Sequence, residues 1–128
     1  MKLLLDTNAL IWWLRDDTKL GPRAKQAIAD RESEIIVSTI SLWEITMKWR
    51  VGKMPYSGST FLDDLRDEGI EPLGISIAHL LALEGLAFHH GDPFDHMILA
   101  QAKVESARIL TSDRHLPQYG IPCIPATR

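Results

Sequence analysis

Lys2-Leu3-Leu4-Leu5-Asp6-Thr7-Asn8 carries three leucines straight into an aspartate. A short apolar run of this kind reads as a strand buried on both faces, with the acid at its carboxyl end. The arrangement returns near the other end of the chain, where Arg108-Ile109-Leu110-Thr111-Ser112 leads into Asp113. Between the two, the β-branched triplet Ile35-Ile36-Val37 is the strongest strand signal. Ile70 to Leu73 reads as a further strand that Pro72 limits to a sheet edge, and Ile121 to Ile124 as a weak last one. Helical segments alternate with these strands. Ala9 to Leu14 is broken by Gly21-Pro22, and Ala24 to Ala29 is rich in helix formers. A helix capped by Ser38 or Thr39 runs to about Val51, where Gly52 and Pro55 end it. Thr60 to Asp67, Ser76 to Gly85, and Asp92-Pro93 to about Ser106 complete the set. Such alternation predicts an α/β fold: a short parallel sheet covered by helices on both faces. Functional groups in these sheets gather beyond the carboxyl ends of the strands, near the point where strand order reverses. Asp6 and Asp113 both stand at such ends.

The chain has 128 residues, which predicts one domain spanning 1–128. At 45% hydrophobic and 24% charged it has a globular composition, which excludes disordered and low-complexity classes. Its one cysteine, Cys123, excludes an intrachain disulfide and reads as a small apolar residue rather than a nucleophile. Three leucines fall short of a signal-peptide core of ~7–15 residues, and no run nears the ~18 apolar residues of a membrane span. The expectation is a cytoplasmic protein with no membrane partner. The formal charge of −3 argues, at face value, against a broad basic surface for nucleic acid.

Four acids stand in unusual places. Asp6 and Asp113 follow strands, although either is also a suitable helix cap. Glu44 projects from the edge of a stripe formed by Ile40, Trp43, Met47 and Val51 at helical spacing. A carboxylate facing a sheet is costly unless paired or metal-bound. The competing reading is a capping box, Ser41-x-x-Glu44, which needs the helix to begin at Ser41. Asp92 reads as the cap of its helix, and Asp95, three residues on, either favours the helix dipole or ligates a metal. Carboxylates without clustered His or Cys suit hard cations, Mg²⁺ or Mn²⁺. Such ions beside a phosphodiester orient a water, lower its pKa and neutralise charge on the phosphate and leaving oxygen. Left uncompensated, clustered acids raise one another's pKa.

Four blocks, KLLLDTNAL (Lys2 to Leu10), VSTISLWEITMK around Glu44, HHGDPFDHMILAQA around Asp95 and ILTSDRHL around Asp113, together resemble the PIN-domain ribonucleases. The DPFD block with its following helix looks like the VapC-type toxins of bacterial toxin–antitoxin pairs. The resemblance implies a PIN-like three-layer α/β/α fold with a parallel sheet in strand order 3-2-1-4-5. It implies that Asp6, Glu44, Asp95 and Asp113 are the catalytic and metal-binding acids, holding one or two Mg²⁺ or Mn²⁺ ions. Thr7, Asn8 and Ser112 match polar residues that orient the ligands or substrate, and Asp92 joins that supporting set. His96 stands where many relatives carry arginine. The family implies a small cytoplasmic endoribonuclease, homodimeric or in a larger toxin–antitoxin assembly, acting on RNA and inhibited by a cognate antitoxin.

Other residues carry weaker readings. Lys48, Arg50, Lys53 and Arg114 are possible RNA contacts, against the plainer reading of solvated cations. Trp12 and Trp13 cannot both face the same way on a helix, so one is expected at the surface as an antitoxin or dimer contact, while Trp43 joins the core stripe. His89 and His90 read as loop residues. Two alternatives compete with the nuclease. A phosphohydrolase with Asp6 as covalent nucleophile needs a second acid two residues on, where Asn8 stands. An inert scaffold acting by protein or RNA binding is signalled by loss of an acid, and all four are present. The charge then reads differently: setting the four acids aside leaves 14 basic residues against 13 acidic.

Overall fold

The computed structural model describes residues 1–128 and contains four short strands and six α-helices. The strands are β1 (Lys2–Leu5), β2 (Glu34–Val37), β3 (Arg108–Thr111) and β4 (Cys123–Pro125), all parallel, in the order β2-β1-β3-β4. The helices are α1 (Thr7–Leu14), α2 (Pro22–Ala29), α3 (Thr39–Arg50), α4 (Gly58–Asp67), α5 (Ile77–Glu84) and α6 (Pro93–Glu105).

The three opening leucines explain the layering. Successive strand residues point to opposite faces. Leu3 and Leu5 lie in one core with Ala9, Leu10, Ala24, Ile45, Phe61 and Leu65, from α1 to α4. Leu4 lies in the other with Met97, Ile98 and Leu99 of α6 and with Ile40. All three leucines are fully buried, as a central strand covered on both faces requires. Strand β1 pairs with β2 through Leu3–Ile35 and with β3 through Leu5–Leu110, so the chain order reverses beside β1. Asp6 N–H continues the ladder to the Leu110 carbonyl at 3.1 Å. The acid is thereby delivered to the crevice at the strands' carboxyl ends.

Two expectations are corrected. The segment Ile70 to Leu73 forms no full strand. It makes a single parallel bridge, Ser38–Leu73, with Leu73 N–H donating to the Val37 carbonyl at 2.7 Å. Pro72 has no N–H to extend the ladder. With this bridge as its edge, the sheet follows the expected 3-2-1-4-5 order.

The apolar stripe on α3 is the other. Trp43, Met47 and Val51 are exposed, at 55%, 45% and 67%, and Trp49 is exposed too. The buried residues are Ile40, Ser41 and Ile45. The inward face is the row Ser41, Glu44 and Ile45, with Lys48 continuing it to the rim, at the spacing of one helix face. Hydrophobic spacing misled because the inward row turns polar where it meets the site. Trp12 and Trp13 are both half-buried against the core, so the surface tryptophans are Trp43 and Trp49. No helix is long and apolar enough to cross a membrane.

Candidate active site

Asp6 caps α1 and occupies the crevice at once. Its Oδ1 accepts from Ala9 N–H at 2.8 Å, and its Oδ2 accepts from the Thr111 hydroxyl at 2.5 Å. Thr111 Oγ1 also accepts from Asp113 N–H at 3.0 Å, so one hydroxyl ties together the ends of β1 and β3. Burial raises the Asp6 carboxyl to about 6. The two hydrogen bonds pull it down, and the charges of Asp113 and Glu44 push it further up. Asp113 Oδ1 accepts from His115 N–H at 2.8 Å in the turn after β3.

Glu44 is presented by α3. The helix is capped by Ser38, whose hydroxyl accepts from Ile40 N–H at 3.0 Å, so the Ser41–Glu44 capping box does not form. Glu44 is instead directed at α1. Thr7 Oγ1 donates to its Oε1 at 2.8 Å and lies 3.0 Å from the buried Ser41 hydroxyl. Lys48 donates to Oε2 at 3.0 Å.

Asp92 is the cap of α6, accepting from Phe94 and Asp95 N–H at 2.9 and 3.2 Å. Asp95 follows in the first turn, with its side chain largely out of solvent. Burial, then the charges of Asp92, Asp113 and Asp6, push its carboxyl up to about 8. Asp6 and Asp95 thus each feel others of the four acids as nearby negative charges. One ligand atom each from His90, Asp95 and Asp113 lies within 4.8 Å of the other two. Buried, crowded carboxylates raised in this way for want of counter-charge fit a hard divalent cation.

Of the supporting residues, Thr7 and Asp92 make the contacts described. Asn8 and Ser112 face solvent, and the hydroxyl that reaches Asp6 belongs to Thr111. Sequence reading missed Thr111 because its side chain faces the crevice from inside the strand; the signal was a hydroxyl residue two positions before the acid. It also missed His90, whose Nε2 lies 3.2 Å from Asp95 Oδ2. His96 is buried, with Nε2 2.5 Å from the His90 carbonyl, and turns inward to hold the loop. Arg50, Lys53 and Arg114 are exposed. The largest cavity, about 700 Å³, lies at the other end of β3, lined by Lys103, Arg108 and Ile121, away from the acids.

Ribonuclease VapC22 of Mycobacterium tuberculosis is 28% identical over 126 residues, covering 94% of this chain and 93% of the relative. The crystal structure of VapBC2 from Rickettsia felis, bound to a DNA fragment from its promoter, matches with a TM-score of 0.72 at 16% identity, covering 97% of this chain and 98% of that one. DNA-bound VapBC from Salmonella typhimurium matches with a TM-score of 0.71 at 17% identity, covering 97% of each chain. VapBC-1 from nontypeable Haemophilus influenzae matches over the whole of both chains, with a TM-score of 0.70 at 18% identity. Residues 3–122, which take in all four acids, match the PIN domain, and the chain belongs to that family.

Proposed function

We propose that this chain is a divalent-metal-dependent endoribonuclease and the toxin of a toxin–antitoxin pair. The observation that carries the reading is the convergence of Asp6, Glu44, Asp95 and Asp113, from four separate segments, into one crevice where burial and neighbouring negative charge raise the carboxyls of Asp6 and Asp95. Similarity to a VapC ribonuclease and to VapBC complexes supplies the substrate class and the kind of partner.

Asp6, Asp95, Asp113 and Glu44 would hold one or two Mg²⁺ or Mn²⁺ ions. When bound, such ions supply an activated water at neutral pH and charge stabilisation at the phosphate and leaving oxygen. The chain's own groups set the geometry. Thr111 fixes the Asp6 carboxylate, and Thr7 fixes Glu44. Lys48 balances Glu44 at the rim, and the exposed Arg50, Lys53 and Arg114 would meet RNA phosphates. Hydrolysis by water, with no covalent enzyme intermediate, leaves 5′-phosphate and 3′-hydroxyl ends. A cognate antitoxin and a second copy of the chain complete the assembly.

D6N should lower RNA cleavage by about 10²–10³-fold or more, the scale of losing one preorganised charged group, while keeping the fold. Asparagine retains an oxygen for the α1 cap. Cleavage by the purified chain should also stop in excess EDTA. Full activity in either condition, or products with 2′,3′-cyclic ends, would contradict the reading.

A further inference from the structure

Four of the five histidines cluster beside Tyr119: His89 and His90 in the loop before α6, His96 in the first turn of α6, and His115, stacked on His90, in the turn after β3. Their hydrogens can be assigned. A hydroxyl has two lone pairs and one proton. His89 and His90 backbone N–H groups donate to Tyr119 Oη at 3.1 and 3.2 Å and take up the lone pairs. The proton then has two imidazole nitrogens in reach, His90 Nδ1 at 2.7 Å and His96 Nε2 at 3.2 Å. His96 Nε2 faces the His90 carbonyl at 2.5 Å. A carbonyl only accepts, so that nitrogen carries a hydrogen. Tyr119 therefore donates to His90 Nδ1, and the neutral His90 ring keeps its hydrogen on Nε2, against Asp95 Oδ2 at 3.2 Å.

We propose that His90 is a positioning residue for Asp95: locked by Tyr119, its Nε2–H ties down one carboxylate oxygen and leaves the other to the metal. The proposal rests on the metal-dependent reading above and adds a part that the four acids do not supply. Asp95 is crowded by three like charges on a helix's first turn, one of them, Asp113, close enough to share a proton with it, and His90 is the nitrogen donor that reaches it. A ligating carboxylate held by such a bond loses less freedom when the ion binds. The competing role, His90 as a nitrogen ligand, requires the hydrogen to move to Nδ1. Tyr119 Oη would then face three donors with two lone pairs.

Mn²⁺ binding by calorimetry and the Mn²⁺ pulsed-EPR spectrum separate these roles. The chain is measured as wild type, H90Q, H90A and Y119F, with thermal melts to confirm folding. Glutamine offers an N–H at similar reach but no imidazole nitrogen. H90Q should bind Mn²⁺ within about threefold of wild type, whereas H90A should bind about 10–100-fold more weakly. Y119F, which frees the ring, should also weaken binding. No spectrum should show ¹⁴N coupling. Equal Mn²⁺ affinity in wild type, H90A and Y119F overturns the positioning role alone. So does a ¹⁴N coupling in wild type that vanishes in H90Q. A wild type that binds no Mn²⁺ overturns the metal reading and this inference together.

Discussion

At the scale of single residues, the site is a set of acids whose energies depend on what stands beside them. Thr111 is the clearest case, since its hydroxyl donates to Asp6 and accepts from Asp113 N–H. T111V should cost about 1–3 kcal/mol in denaturant unfolding, the penalty for stranding buried polar partners, and T111S should restore most of it. A T111V protein as stable as wild type would show that the hydroxyl links nothing. Asp95 gives a pH prediction with a definite sign. Its carboxyl lies at about 8 in the folded chain against 3.8 ordinarily. Between those values the unfolded chain has released a proton that the fold retains. Stability of the metal-free protein therefore falls as pH rises through this range. D95N removes the penalty. In EDTA, its stability relative to wild type should grow steadily between about pH 4.5 and 8. A difference flat with pH would contradict the burial and charge assigned to Asp95. The acids themselves were legible as residue types at strand ends and in the DPFD block. Thr111 and His90 were not, because a hydroxyl inside a strand and a histidine in a loop have many commoner roles.

At the scale of elements, the strands and helix starts were readable from local chemistry. Ser38, Ser76 and Asp92 cap the helices assigned to them, and Pro22 and Pro93 stand in first turns. The rotation of α3 was not readable. A helix facing a polar crevice on one side presents Ser41 and Glu44 inward, with Lys48 at the rim, and leaves tryptophans outside, so hydrophobic spacing points to the wrong face. The two orientations differ measurably. I45A should cost about 2–5 kcal/mol, the range for emptying a packed core position, whereas W49A should cost less than about 0.5 kcal/mol. The reverse order in chemical unfolding would restore the face predicted from spacing. The edge segment Ile70 to Leu73 failed as a strand for the reason its proline had flagged.

At the scale of the whole molecule, the opening sheet order brings segments more than a hundred residues apart into contact, as in the Thr111–Asp6 bond. No local pattern encodes that meeting. The parallel α/β rule located it in general terms, and the family resemblance named the acids. The net charge of −3 takes its meaning from the same meeting. Four acids in one crevice account for the negative excess, and two bound divalent ions would bring the balance to +1. On the proposed function, a chain that looks unsuited to RNA by overall charge would be suited to it by where the charge sits. The most direct test is anomalous diffraction from crystals of the wild-type chain soaked in Mn²⁺. The account predicts one or two anomalous peaks bounded by the carboxylates of Asp6, Asp95 and Asp113, with Glu44 at the edge. A saturated crystal with no peak among those four acids would contradict it.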